Sequence, residues 1–195
     1  TFSADMVEET EVQSETVTQT INETESETEQ TLETITTAEQ ENAVIDRSET
    51  FALLNDMKAG WNLGNTLDAH ASADLTSETS WGNPKTTPEM IQAIAQEGFH
   101  TLRIPVTWSK HVSAGPEYKI DAAWMDRVEE VVKYALDCDM YVILDTHHEP
   151  DYWLKPQSDG LDEVQNELCA IWQQIAERFA DYDEHLLFEG MNEPR

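Results

Sequence analysis

Basic residues are scarce in this chain. Eleven Lys and Arg stand against 40 Asp and Glu, for a formal net charge of −29. So acidic a surface repels polyanions, which argues against nucleic acid and an anionic membrane as partners. It is compatible with a neutral substrate such as a glycan. Residues 1–46 have no Lys, Arg, Gly or Pro, yet hold 13 of the acidic groups. Thr, Glu, Ser and Gln dominate there, with sparse Val and Ile. Such a segment cannot bury enough apolar area to offset its ordering entropy, so it is expected to be disordered. It reads as a spacer of the kind found in secreted multidomain proteins. Asn22-Glu-Thr24 matches a glycosylation sequon by pattern.

Cysteine is nearly absent. Cys138 and Cys169 form no CxxC pair and lack metal-site spacing, so both are expected to be small buried side chains rather than a disulfide. No apolar run is long enough to span a bilayer. The chain does not start with Met and shows no signal peptide, so it reads as an interior piece of a longer reading frame.

What is present begins near Arg47. Ser48 is placed to cap a helix over 49–57, and a short strand punctuated by Gly60 and Gly64 follows. Residues 68–86 are polar and irregular. Thr87 then caps a helix with Pro88 at its first position, and Gly98 ends it. The run Thr101–Val106 reads as a second strand, Asp121–Asp137 as a capped helix, and Met140–Leu144 as an apolar strand covered on both faces. A helix over 161–179 and a strand at Leu186–Phe188 complete the series. Strands near 59, 101, 140 and 186 recur about every forty residues, each pair joined by a helix. That is a repeated βα unit with right-handed parallel crossovers. A doubly wound sheet and a (β/α)8 barrel both fit. A GxGxxG phosphate loop after the first strand is missing, which lowers the nucleotide-binding reading.

In such folds chemistry collects beyond the C-terminal ends of the strands. The first strand ends at Asn62 and Asn65, and the second carries Arg103. The third ends in Asp145-Thr-His-His-Glu149, and the fourth in Asn192-Glu193. Pro194 biases Glu193 away from helix, so this carboxyl group sits where strand turns into loop. Glu193 is a candidate general acid. His147 and His148 beside Asp145 raise the question of a metal. Adjacent histidines are expected to point in roughly opposite directions, and the i, i+4 zinc spacing is missing, so neither a metal nor another cofactor is expected.

Five stretches carry a resemblance. Gly60-Trp-Asn-Leu-Gly-Asn-Thr-Leu-Asp68, Trp81-Gly-Asn-Pro-Lys-Thr86, Leu102-Arg-Ile-Pro-Val-Thr-Trp108, Val142-Ile-Leu-Asp-Thr-His-His-Glu149 and Phe188-Glu-Gly-Met-Asn-Glu-Pro194 resemble the successive motifs of glycoside hydrolase family 5. The likeness is greatest to its endo-β-1,4-glucanases, the cellulases. It implies a (β/α)8 barrel, of which residues 47–195 are the N-terminal half, and a retaining mechanism on a β-glucan. By resemblance, Glu193 is the general acid/base and Asn192 binds the sugar 2-hydroxyl. Arg103 supports the nucleophile, His147 and His148 form the histidine pair at the cleavage point, and Asn65 and Trp81 line the substrate cleft. It also implies secretion, and the acidic tail stays open as a linker to a carbohydrate-binding module, as a link to an anchor, or as a leader.

Retention needs two carboxyl groups about 5–5.5 Å apart, one giving a proton to the leaving oxygen and one attacking the anomeric carbon. The family's nucleophilic Glu belongs to the seventh strand, and no position here matches it. Glu149 and Glu189 are spare carboxylates. Glu189, next to Phe188, is expected to face the helix layer. The isolated chain is therefore expected to be inactive. Mannanase, xylanase and mixed-linkage glucanase activities stay open, as does a non-catalytic half-barrel with two open sheet edges.

Overall fold

A computed structural model of the protein describes residues 47–149, 152–155 and 160–193. The acidic segment 1–46, with its expected disorder and its sequon, lies outside them, as does Pro194. The chain divides into two units, Thr1–Thr50 and Phe51–Arg195. The second holds the sheet.

The elements are α1 (Ser48–Met57), β1 (Gly60–Asn62), a 3₁₀ turn (Leu75–Thr79), α2 (Pro88–Gln96) and β2 (Thr101–Ile104). A second 3₁₀ turn (Ser109–His111), α3 (Ala122–Leu136), β3 (Tyr141–Asp145), α4 (Leu161–Arg178) and β4 (Leu186–Glu189) follow. The four strands form one parallel sheet in chain order, so each βα unit adds its strand beside the last.

Local chemistry sets the boundaries. The Thr87 hydroxyl accepts from Met90 N at the start of α2, with Pro88 in the first turn. Gly98 (φ +92°) takes the chain out of α2 through a conformation that costs glycine little. Asp121 Oδ1 accepts from Trp124 N at 2.9 Å and caps α3. β2 stops at Ile104, short of the expected Val106, because Pro105 has no N–H for the ladder. β3 starts at Tyr141 because the amide of Met140 is spent on Ala135 O at the end of α3. α1 takes in Ser48, which had been read as its cap.

Strand side chains alternate between the two faces of the sheet. Leu102 and Ile104 of β2, Val142 and Leu144 of β3 and Leu186 of β4 point to the helix side. There they pack with Ile91 of α2, Val128, Val131 and Val132 of α3, and Ile171 and Ile175 of α4, all buried. Phe188 also lies on that side, edge-on to Trp172 of α4 with ring centroids 5.7 Å apart. The opposite face presents Asn62, Arg103, Ile143 and Leu187 at one level of the register, and Asp145 and Glu189 two residues further on. Glu189 therefore faces away from the helix layer. The expectation that it faced the helices is wrong, because Phe188 takes that side. Both cysteines are free, and Cys169 is exposed rather than buried.

His111 is 4% exposed and stacks on Trp124, with ring centroids 3.7 Å apart and planes 5° apart. Burial pushes its pKa down to about 4, against the opposing pull of Asp121 and Asp74. The folded chain thus holds a neutral imidazole that the unfolded chain protonates near pH 6.5. Its contribution to stability is complete above about pH 6.5 and is lost as pH falls towards 4, by up to about 3 kcal/mol. Urea unfolding at pH 7 and pH 4.5 should show that loss in the native protein. In His111→Phe the loss should be smaller by most of that amount, because Phe stacks on Trp124 without titrating.

Candidate active site

Arg103 is the centre of the sheet's open face. Its Nε and Nη2 donate to the two oxygens of Glu189 at 2.7 and 2.6 Å, a bidentate pair. Nη2 also lies 2.6 Å from Asp145 Oδ2, and Nη1 donates to Asn62 Oδ1 at 2.9 Å. A further bond from Nη2 to Asn192 Oδ1, at 3.1 Å, reaches the loop after β4. One guanidinium from β2 thus ties together β1, β3, β4 and the loop that carries Glu193. The hydrogen bonds from Arg103 hold the Glu189 carboxyl below its ordinary range, and the same contact raises the arginine's pKa.

Asp145 is fully buried and answers three groups. Besides Arg103, it accepts from Val106 N at 3.0 Å through Oδ1, and it meets His147 Nδ1 at 2.8 Å through Oδ2. This fixes the His147 ring by a charged partner. His148 lies edge-on to His147, with centroids 4.6 Å apart, and 5.4 Å from the ring of Trp81. His70 joins the same aromatic group, 4.9 Å from Trp81, and its Nδ1 is 2.5 Å from the hydroxyl of Tyr152. Trp81, 41% exposed, presents an apolar surface to solvent beside this group.

The loop after β4 is tied to the loop after β3. Asn192 N donates to Thr146 O at 2.9 Å, and the Thr146 hydroxyl donates to Gly190 O at 2.8 Å. Glu193 is exposed and has φ +45°, a left-handed conformation that is costly for a side chain larger than glycine and that collects at functional sites. Asn65 also has positive φ, at +60°, and is exposed in the turn after β1. Asn62, not Asn65, makes the bond to Arg103.

Glu149 belongs to the support of this face. It is fully buried and accepts from Trp108 N at 2.6 Å, from Trp153 Nε1 at 3.1 Å and from the Ser109 hydroxyl. Burial raises its pKa, with those three donors opposing. It pins the loop after β2 to the loop after β3.

The sequence reading missed Asp145 and Glu189 as members of the site. Strand parity was the available signal: with Leu187 on the open face, Glu189 follows it there, just as Asp145 follows Ile143. His70 and Tyr152 carried no such signal, since they lie in irregular segments.

The profile for Cellulase (glycosyl hydrolase family 5) matches residues 67–195. The chain belongs to glycosyl hydrolase family 5. It is 55% identical over 143 residues to endoglucanase A of Ruminococcus albus, covering 73% of this chain and 39% of that protein. It is 52% identical over 143 residues to the cellulase/esterase CelE of Acetivibrio thermocellus, covering 73% of this chain and 17% of that one. Among solved structures it resembles a xyloglucan-specific endo-β-1,4-glucanase of the family from a metagenomic library, in complex with cellotriose. That match has TM-score 0.75 and 54% identity over 77% of this chain and 44% of the other. This family 5 chain thus spans less than half the length of each of these relatives. Its parallel βα units are part of the family's (β/α)8 barrel, so the barrel expectation holds and the doubly wound alternative falls. No described helix is long and apolar enough to cross a membrane.

Proposed function

We propose that this family 5 chain is the N-terminal part of a secreted, retaining endo-β-1,4-glucanase and supplies its general acid/base, Glu193. The observation that carries this reading is the Arg103 network. It holds Asn192 through its side chain and so sets the loop from which Glu193 projects. A general acid must sit within reach of the leaving oxygen, and a positioned one is worth about 10²–10⁴ in rate. Asn192, beside it, accepts from Arg103 through Oδ1, which turns its amide nitrogen outward to bind a sugar 2-hydroxyl. Arg103 in turn serves the attacking carboxylate by keeping it ionised. His147, fixed by Asp145, and His148 contact the sugar at the cleavage point, and Trp81 and Asn65 lie along the cleft.

The attacking carboxylate comes from sequence outside these 195 residues, and the chain alone is inactive. Residues 1–46 are an acidic linker to a carbohydrate-binding or anchoring module, outside the cell. The substrate is a β-glucan chain. Cellotriose bound to the structural relative, a xyloglucan-specific enzyme, supports a β-1,4-linked glucan backbone.

The test joins the chain to the C-terminal remainder of the Ruminococcus albus endoglucanase A barrel and offers this chimera several polysaccharides. Carboxymethylcellulose should be cleaved faster than mannan or xylan. Faster cleavage of mannan or xylan would overturn the glucanase reading in favour of those relatives.

A further inference from the structure

Asp68, His147 and His148 place three ligand atoms within 4.8 Å of one another, the one such group of metal-binding side chains among the described residues. Adjacent histidines were expected to point apart. Instead they project to the same side, because the chain leaves β3 at Asp145 and turns, and their rings meet at 90°.

The surroundings suit a cation. His147 Nδ1 is held by Asp145, which leaves Nε2 as its ligand atom. That carboxylate–histidine pairing orients histidines and raises their basicity at metal centres. Asp68 accepts from Thr66 N at 2.8 Å through Oδ1, and its Oδ2 lies 3.8 Å from His148 Nε2. This separation is too long for a hydrogen bond. A tetrahedral ion with bonds of about 2.0–2.1 Å holds its ligands about 3.4 Å apart, so small rotations of the imidazoles close the set. Arg103 lies nearby, but it is already paired with Asp145 and Glu189. Asp68 adds a further attraction for the same guanidinium. Two imidazoles and one carboxylate suit zinc or its transition-metal neighbours better than calcium or magnesium.

We propose that Asp68, His147 and His148 form a binding site for a divalent transition metal of the zinc class. The ion acts there as a reversible inhibitor, since it stands where the sugar is proposed to contact the two histidines. Only this inhibitory consequence rests on the proposed function; metal binding does not.

The experiment is calorimetric titration of the 195-residue chain with zinc chloride, with circular dichroism to show that each variant keeps the native spectrum. One equivalent should bind. His148→Ala and Asp68→Asn should each weaken binding about tenfold or more. His185→Ala, outside the cluster, should leave it unchanged. Absent binding, binding indifferent to both cluster variants, or equal weakening by His185→Ala would overturn the site. In the chimera, cellotriose should weaken zinc binding, and its failure to do so would overturn the inhibitory role. A chimera that cleaves no glucan would overturn the functional reading, while the titration still decides the metal site.

Discussion

Glu193→Gln in the chimeric barrel should lower the turnover of carboxymethylcellulose by about 10²–10⁴-fold, with little change in binding. Gln keeps the size and shape of the side chain but has no acidic proton to give the leaving oxygen. The backbone that holds it should be unchanged, because its position is set elsewhere. Asn192 N is bonded to Thr146 O, and Asn192 Oδ1 to Arg103. The diagnostic control is an aryl cellobioside with an acidic phenol as leaving group. Such a phenolate departs without protonation, so the variant's glycosylation step should be spared on it. Equal loss on both substrates would show that Glu193 does something other than donate a proton. Full activity on the polysaccharide would remove it from the mechanism altogether.

Arg127→Met should destabilise the protein by about 3–5 kcal/mol, because it strands a buried carboxylate. Arg127 of α3 is 4% exposed and Glu78 of the first 3₁₀ turn 1% exposed. Their contact is bidentate, at 2.9 and 2.8 Å, and Arg127 Nη2 also donates to Thr86 O at 2.7 Å. Glu78 accepts from Thr86 N at 2.8 Å as well. The pair therefore clamps the irregular segment between β1 and α2 onto α3. That segment carries Asp68, His70 and Trp81, so the loss should loosen the cleft too. Adding Glu78→Gln to Arg127→Met removes the stranded charge and should recover part of the stability. Urea unfolding of the two single variants and the double variant measures this as a cycle. Additive effects would mean that the pair does not act as a unit.

Much of the architecture was legible because its signals are local. Caps at Thr87 and Asp121 and the stop at Gly98 are short-range chemistry. The apolar runs of β3 and α3 declare their periods directly. Arg103, His147 and Asn192 were legible because they stand at strand ends, where a parallel sheet collects polar groups. One error, Glu189, came from strand parity left unread; the others came from contacts that local pattern does not encode. Glu189 was turned to the wrong face because Phe188 was not recognised as the partner of Trp172, sixteen residues earlier on α4. Glu78 reaches Arg127 across 49 residues, and nothing in the polar stretch around it marks a buried ion pair. The histidine pair was expected to splay as if on an extended strand. The chain has already left β3 there, and Asp145 holds the first ring in place. Asn62 is still on the strand and meets Arg103, while Asn65 stands in the turn beyond it.

The proposed glucanase centre has two carboxylates, of which this chain supplies one. The most direct test compares reducing ends released from carboxymethylcellulose by the purified 195-residue chain and by the chimera continued with the Ruminococcus albus remainder, both shown to be folded by circular dichroism. Release by the chimera alone is expected. Release by the short chain, abolished by Glu193→Gln, would contradict it. The attacking carboxylate would then come from within these residues or from a second copy.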